Sequence, residues 1–288
     1  MNNAVNALVS AQWLAQHHAK GDVCVLDCTT HMTPQPVGPS RIDSGLPDYL
    51  QAHIPGALHI DMVQDLSDPS GPFPYTALTA NQFSALRARL GIKPSDHVVL
   101  YGQSSITTIT RAWFMFWLNG HERVSVLDGG LNAWQSIGTQ TEQGMQARPL
   151  VAAEPAEQRS LIATLEDVKD ALQNNSAQLV NALSAQQFSG SGGAHYGRPG
   201  RIPSSHNLPA RTLVQTKSGL FCPTAQLLEA TNAASIDLTK PIIHYCGGGI
   251  AATTSAFVTY LLGATDWRVY DNSLLEWCQN ADCPMVTG

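Results

Sequence analysis

One stretch of the chain has the makings of a reactive site. Pro241-Ile-Ile-His-Tyr-Cys246-Gly-Gly-Gly-Ile-Ala-Ala-Thr253 runs from an apolar strand into a cysteine, then three glycines, then the start of a helix. A thiol at the carboxyl end of a strand stands where open α/β sheets bind ligands. Glycines carry no side chains, so successive backbone N–H groups can turn inward as a nest for an anion. The positive end of the following helix strengthens that field. Both effects favour a thiolate and make Cys246 the expected nucleophile. The N–H groups of Gly247, Gly248, Gly249, Ile250, Ala251 and Ala252 are the expected cradle. The bland alternative is an inert buried thiol, but a loop built only for packing has little reason to strip three side chains in a row.

Other chemistries fit this stretch poorly. The Gly-x-x-x-x-Gly-Lys-Ser/Thr signature of a nucleotide loop is absent. His244 lies beside Cys246, yet no second ligand pair is spaced to complete a zinc site, so no metal is expected. A cysteine phosphatase of the Cys-x5-Arg type needs an arginine where Ala252 stands, and none follows until Arg268. An acyl-transfer hydrolase needs a base, and no Cys/His motif is recognisable.

The elements that must position Cys246 read as α/β. Residues 22–27, 97–101 and 124–127 are short apolar runs expected as buried strands, with helices over 79–90 and 110–118 between them. The second half repeats this, with strands at 179–182, 241–245 and 267–270 and helices at 224–231 and 253–262. Alternation of strand and helix argues for mostly parallel sheets flanked by helices. Individual words recur as well. His53-Ile-Pro-Gly-Ala57 matches Arg201-Ile-Pro-Ser-Ser205, Tyr101-Gly102 matches Tyr245-Cys246, and Gly120, Asp128 and Trp134 match Gly263, Asp271 and Trp277. The offset stays between 143 and 148 residues, which marks an internal duplication. The duplication supplies an internal control: Gly102 stands where the second half has Cys246, so one active site per chain is expected, in the second half. The segment 143–160 has no clear period, and the boundary is placed near residue 150, giving units 1–150 and 151–288.

Composition narrows the class. The chain has 288 residues, 43% of them apolar, so one large or two ordinary domains with a substantial core are expected. Charged residues are only 13%, the net charge is −6 and no Lys/Arg run occurs, so no nucleic-acid partner is expected. No apolar stretch reaches the roughly 18 residues needed to span a bilayer, and the first residues carry no basic and apolar leader pattern. Cysteines at 24, 28, 222, 246, 278 and 283 are too sparse for a disulfide scaffold, so a reduced, cytoplasmic protein without a membrane partner is expected. Cys24 and Cys28 read as core, Cys278 and Cys283 as two separate thiols.

Taken together, the words resemble the rhodanese-type sulfurtransferases. They are His53-Ile-Pro-Gly-Ala57, Thr110-Arg-Ala-Trp113, Leu127-Asp-Gly-Gly-Leu-Asn-Ala-Trp134, Gly200-Arg-Ile-Pro203 and Cys246-Gly-Gly-Gly-Ile-Ala-Ala252. Their order is similar to the family's tandem form, in which an N-terminal rhodanese-like domain without the cysteine precedes a catalytic one. The resemblance implies two α/β domains, with the site facing the interface and Trp113, Trp134 and Trp277 in the core or interface. It implies that Cys246 takes a sulfane sulfur from thiosulfate or 3-mercaptopyruvate as a persulfide and passes it to cyanide or a thiol, with no cofactor. It also implies arginines for the donor's anionic end, for which Arg198 is the first candidate and Arg201 the second. Gln187 stands where one family arginine usually sits, and Gly247-Gly248 replaces both the basic pair of thiosulfate users and the Gly-Ser of mercaptopyruvate users. Asp43 and His53 occupy the places of further relay members, so donor preference stays open. The reading from another class is a non-catalytic sulfur-binding or protein-interaction module.

Overall fold

Apolar runs buried on both faces become strands because only a covered parallel sheet tolerates them. In the computed structural model, which describes residues 5–288, the first half contains β1 Leu8–Val9, β2 Val23–Asp27, β3 Thr30–Thr33, β4 Arg41–Ser44, β5 Leu58–His59, β6 His97–Tyr101 and β7 Val124–Leu127. The second half contains β8 Ile162–Ala163, β9 Gln178–Asn181, β10 His206–Asn207, β11 Ile242–Tyr245 and β12 Trp267–Tyr270. Helices α1 Ala11–His17, α2 Leu46–Gln51, α3 Ala80–Arg89, α4 Ile106–Leu118 and α5 Gly130–Ser136 belong to the first half. Helices α6 Leu165–Asn174, α7 Ala185–Ser189, α8 Thr224–Ala233, α9 Ala252–Leu261 and α10 Ser273–Trp277 belong to the second.

Each half folds round one five-stranded parallel sheet, in the orders β1-β7-β6-β2-β5 and β8-β12-β11-β9-β10. The two orders are the same topology. Among the described strands β3 and β4 pair antiparallel, as a separate ribbon. The long central strands β6, β7 and β11 coincide with the sequence expectation to within a residue because every residue of each is buried. Helix α4 begins four residues before the expected Thr110, because Ser105 caps it by accepting the Thr107 N–H. The ribbon and the short α5, α7 and α10 carry too little periodic signal to be read from sequence.

The recurring words are recurring contacts. The Tyr101 hydroxyl accepts the Ile54 N–H at 3.1 Å, and the Tyr245 hydroxyl accepts the Ile202 N–H at 3.2 Å. Trp134 Nε1 donates to Gln140 O, and Trp277 Nε1 to Pro284 O. Asp128 and Asp271 each cross to the other half: Asp128 accepts the Phe221 N–H and Asp271 the Ala77 N–H, both at 2.8 Å.

A second, smaller cluster lies within the first half, and one hydrophobic core running from Ala7 to Cys283 is shared by both halves. Helices α4 and α9 meet at its centre. There Thr110 Oγ1 lies 3.1 Å from Thr253 Oγ1 and 2.8 Å from Thr254 Oγ1. Trp113, fully buried, sets its ring 4.8 Å from Phe257 and 5.8 Å from Trp267. Both arrangements place one strand end, one glycine-containing turn and one helix start against the partner half. No described helix is long and apolar enough to cross a membrane.

Candidate active site

Cys246 follows β11 directly and is 2% exposed. Its N–H donates to Ser273 Oγ at 3.0 Å, and Ser273 Oγ donates in turn to Tyr270 O at 2.7 Å. Ser273 sits at φ +49°, in the left-handed region that costs a side-chain-bearing residue about 1–3 kcal/mol. Its counterpart in the first half is Gly130 at φ +55°, beside Gly102. The half with the thiol thus carries a strained serine where the half without it carries an unstrained glycine.

Beyond Cys246 the backbone turns through Gly247–Ala251 into α9. Among the described residues, none of the N–H groups from Gly247 to Ala252 has an acceptor in the chain. Gly249 must be glycine: its φ is +80°, and a Cβ there would stand 2.1 Å from Asp271 O. The carbonyls of this turn are tied down from outside. Leu274 N–H donates to Cys246 O and Leu275 N–H to Gly247 O. Arg111 Nη1 donates to Gly249 O at 3.3 Å. A turn whose carbonyls are held outward leaves its N–H groups for a bound anion.

Arg111 comes from α4 of the first half and is fully buried. It donates to Asp271 Oδ1 at 2.5 Å and to Tyr75 O at 2.6 Å. The ion pair therefore ties β12, α4 and the turn after Cys246 into one unit. Asp128, the counterpart of Asp271, has no arginine; burial pushes its carboxyl up, and the Phe221 N–H bond pulls it back.

His244 is not a base for Cys246. Its Nδ1 lies 3.0 Å from Ser255 Oγ and its Nε2 3.0 Å from Thr259 Oγ1, both on α9. Burial pushes it down to about 3, so it stays neutral. Asp43 lies on β4, paired with Arg41 at 2.9 Å. His53 is buried in the first half against Tyr49, its Nδ1 2.8 Å from Tyr49 O. Cys24 and Cys28 are buried, their thiols pushed up by desolvation, Cys24 to about 11. No disulfide joins Cys278 and Cys283.

A cavity of about 160 Å³ opens between the 187–200 segment and the start of α10, lined by Gln187, Gly192, His195, Tyr196, Arg198 and Leu274. The two arginines named from sequence part company here. Arg198 borders the cavity; its Nη2 is anchored on Trp277 O and Asn280 O at 3.0 and 3.1 Å, while its Nε is buried without a partner. Arg201 lies outside it, stacked on Phe188 and donating to Phe188 O and Gly288 O. Gln187 donates to Ala194 O and stiffens the loop. The first half reaches this loop too, since Gly38 N–H donates to His195 O. Sequence reading passed over Tyr196 and Ser273. Nothing in their spacing marks them, although the duplication aligns Ser273 with Gly130.

A model of the Rhodanese-like domain matches residues 10–137 and again 164–280. The chain is 31% identical to the 3-mercaptopyruvate sulfurtransferase of Homo sapiens, over 96% of this chain and 93% of that one. It is 30% identical to the mitochondrial thiosulfate/3-mercaptopyruvate sulfurtransferase 1 of Arabidopsis thaliana, over 96% of this chain and 77% of that one. Among solved structures it is similar to SseA from Escherichia coli, reported for the rhodanese fold and mechanism of 3-mercaptopyruvate sulfotransferases. The TM-score is 0.82 at 28% identity, over 93% of this chain and 99% of that one.

Proposed function

The chain belongs to the rhodanese-like domain family and is a sulfurtransferase, and from that premise we propose that it moves a sulfane sulfur through a persulfide on Cys246. The donor in this reading is thiosulfate or 3-mercaptopyruvate, and the acceptor cyanide or a thiol. The observation that carries it is the run of N–H groups from Gly247 to Ala252, all without acceptors, directly after the thiol. The Cys246 thiolate attacks the donor's sulfur, sulfite or pyruvate departs, and the anionic persulfide rests against those N–H groups. The acceptor then attacks the outer sulfur and the electron pair returns to Sγ. Charge held by backbone dipoles needs no side-chain base, which agrees with His244 being committed to α9.

Arg198, which borders the cavity, is the group in this reading that meets the donor's anionic end. Arg201 already serves the carbonyls of Phe188 and Gly288. Six unpaired thiols suit a reducing compartment, and the proposal places the activity in the cytoplasm.

Intact-protein mass spectrometry after incubation with each donor tests the reading. The expected result is one added sulfur, removable by cyanide and mapping to Cys246, with the faster-loading donor revealing the preference. No adduct from either donor would turn the reading toward a sulfur-binding or interaction module.

A further inference from the structure

We propose that Tyr196 is a catalytic residue, its hydroxyl donating a hydrogen bond to the sulfur on Cys246 during transfer. The inference deepens the sulfurtransferase reading above and rests on it. Its geometric basis is the space over Gly247. A Cβ built on Gly247 would fall 1.8 Å from Tyr196 Cζ and 2.3 Å from its hydroxyl oxygen. The phenol therefore fills the volume that a side chain at position 247, the residue after the thiol, would take. Tyr196 also lines the cavity bordered by His195 and Arg198. Among the described residues its hydroxyl has no hydrogen-bond partner, and burial, followed by the charge of Cys246, pushes the phenol up. It therefore keeps its proton and remains a donor. The 187–200 loop that carries it is fixed at both ends, by Gln187 on Ala194 O and by the Arg198 anchor on α10.

The role is a hydrogen bond, with no proton transferred. In the loading step the Cys246 thiolate forms the S–S bond while the donor's bond to that sulfur breaks, its pair leaving on sulfite or on pyruvate enolate, which takes up the proton lost from the mercaptan sulfur. In the second step the acceptor takes the outer sulfur, the S–S bond breaks and its pair returns to Sγ. Thiolate character on Sγ is present at the start of the first step and regenerated at the end of the second. A donor phenol stabilises it at both points. A neutral hydroxyl there also leaves Arg198 as the cation at the cavity wall.

The test compares wild type, Y196F and Y196A in the full chain. Phe keeps the ring over Gly247 and removes only the hydroxyl. Alkylation of Cys246 by iodoacetamide, mapped by mass and followed against pH, needs no sulfur donor. The expected result for Y196F is alkylation several-fold slower at neutral pH, converging with wild type in alkali. Turnover from thiosulfate to cyanide should fall about ten- to a hundredfold in kcat, the size of one hydrogen bond to a charged atom. Wild-type alkylation and turnover in Y196F would overturn the proposal, and so would loss confined to Y196A, which would assign Tyr196 to packing. A wild-type chain that accepts no sulfur, yet shows the Y196F alkylation change, would count against the sulfurtransferase reading while upholding the bond between Tyr196 and Cys246.

Discussion

His244, two residues before Cys246, spends both ring nitrogens on hydroxyls of α9 and is held neutral by burial. Reactivity at Cys246 therefore depends on the backbone that follows it and on Ser273, which takes its N–H. The left-handed serine is informative because the same place in the first half is glycine, the residue that adopts φ +55° without strain. Ser204 is likewise left-handed where the first half has Gly56, so what ties Ser273 to the site is the bond it accepts from the Cys246 N–H. At this scale the decisive substitution is Cys246→Ser. A hydroxyl cannot form a persulfide, so sulfur transfer should fall by ~10³-fold or more, while the urea midpoint stays near wild type because the change is small and the site is not filled by a larger group. An adduct-free mass spectrum with an unchanged unfolding transition is the expected outcome; retained turnover would remove Cys246 from the mechanism.

At the scale of elements, the turn after β11 is shaped by groups that lie outside it. Arg111, from α4 of the half that carries no thiol, holds Gly249 O and Asp271 together, while Ala77 N–H takes the other Asp271 oxygen. The first half thus does more than fill space: it supplies the cation that holds the turn after Cys246. Breaking a buried pair on one side leaves a charge stranded, which costs about 3–5 kcal/mol. Arg111→Met should lower stability by that order and reduce activity more than a distant core substitution of equal cost, since Gly249 O is released as well. Urea unfolding beside the rate of Cys246 alkylation separates the two effects. A loss of stability with an unaltered alkylation rate would detach Arg111 from the cradle.

At the scale of the whole molecule, three buried histidines tie stability to pH. Burial lowers His97 and His121 to about 4 and His244 to about 3, against an ordinary value of 6.5 in the unfolded chain. Between those values the unfolded state binds more protons than the folded one, so stability rises with pH. The contribution is full above about pH 6.5 and is lost as pH falls toward 4 and then 3, at up to ~1.4 kcal/mol per pH unit for each histidine. Urea midpoints measured from neutral pH down to pH 5 should fall steadily, and His244→Gln should flatten that slope by about a third. A flat profile would mean that the imidazoles are hydrated or paired in a way that burial does not convey.

The duplicated α/β plan was legible in the chain because strands buried on both faces leave unbroken apolar runs, and β6, β7 and β11 do so without a polar interruption. The open turn after Cys246 was legible because three consecutive glycines after a strand have few uses other than exposing backbone N–H groups. The repeat words also carried over, since each marks a contact made in both halves, such as Tyr101 on Ile54 and Tyr245 on Ile202. What lay beyond sequence was which side chains meet across distance. Charge alone does not tell Arg198, bordering the cavity with a free Nε, from Arg201, folded onto the last carbonyl of the chain. Nor does spacing reveal that Tyr196 occupies the space above Gly247, or that Arg111 reaches Gly249 O. Local sequence thus determined the elements and the glycine turn after Cys246, because those depend on propensity, periodicity and neighbouring residues. Tertiary packing alone decided the partners of that turn, because long side chains choose among distant backbone groups only once α4 and α9 have packed the two halves together.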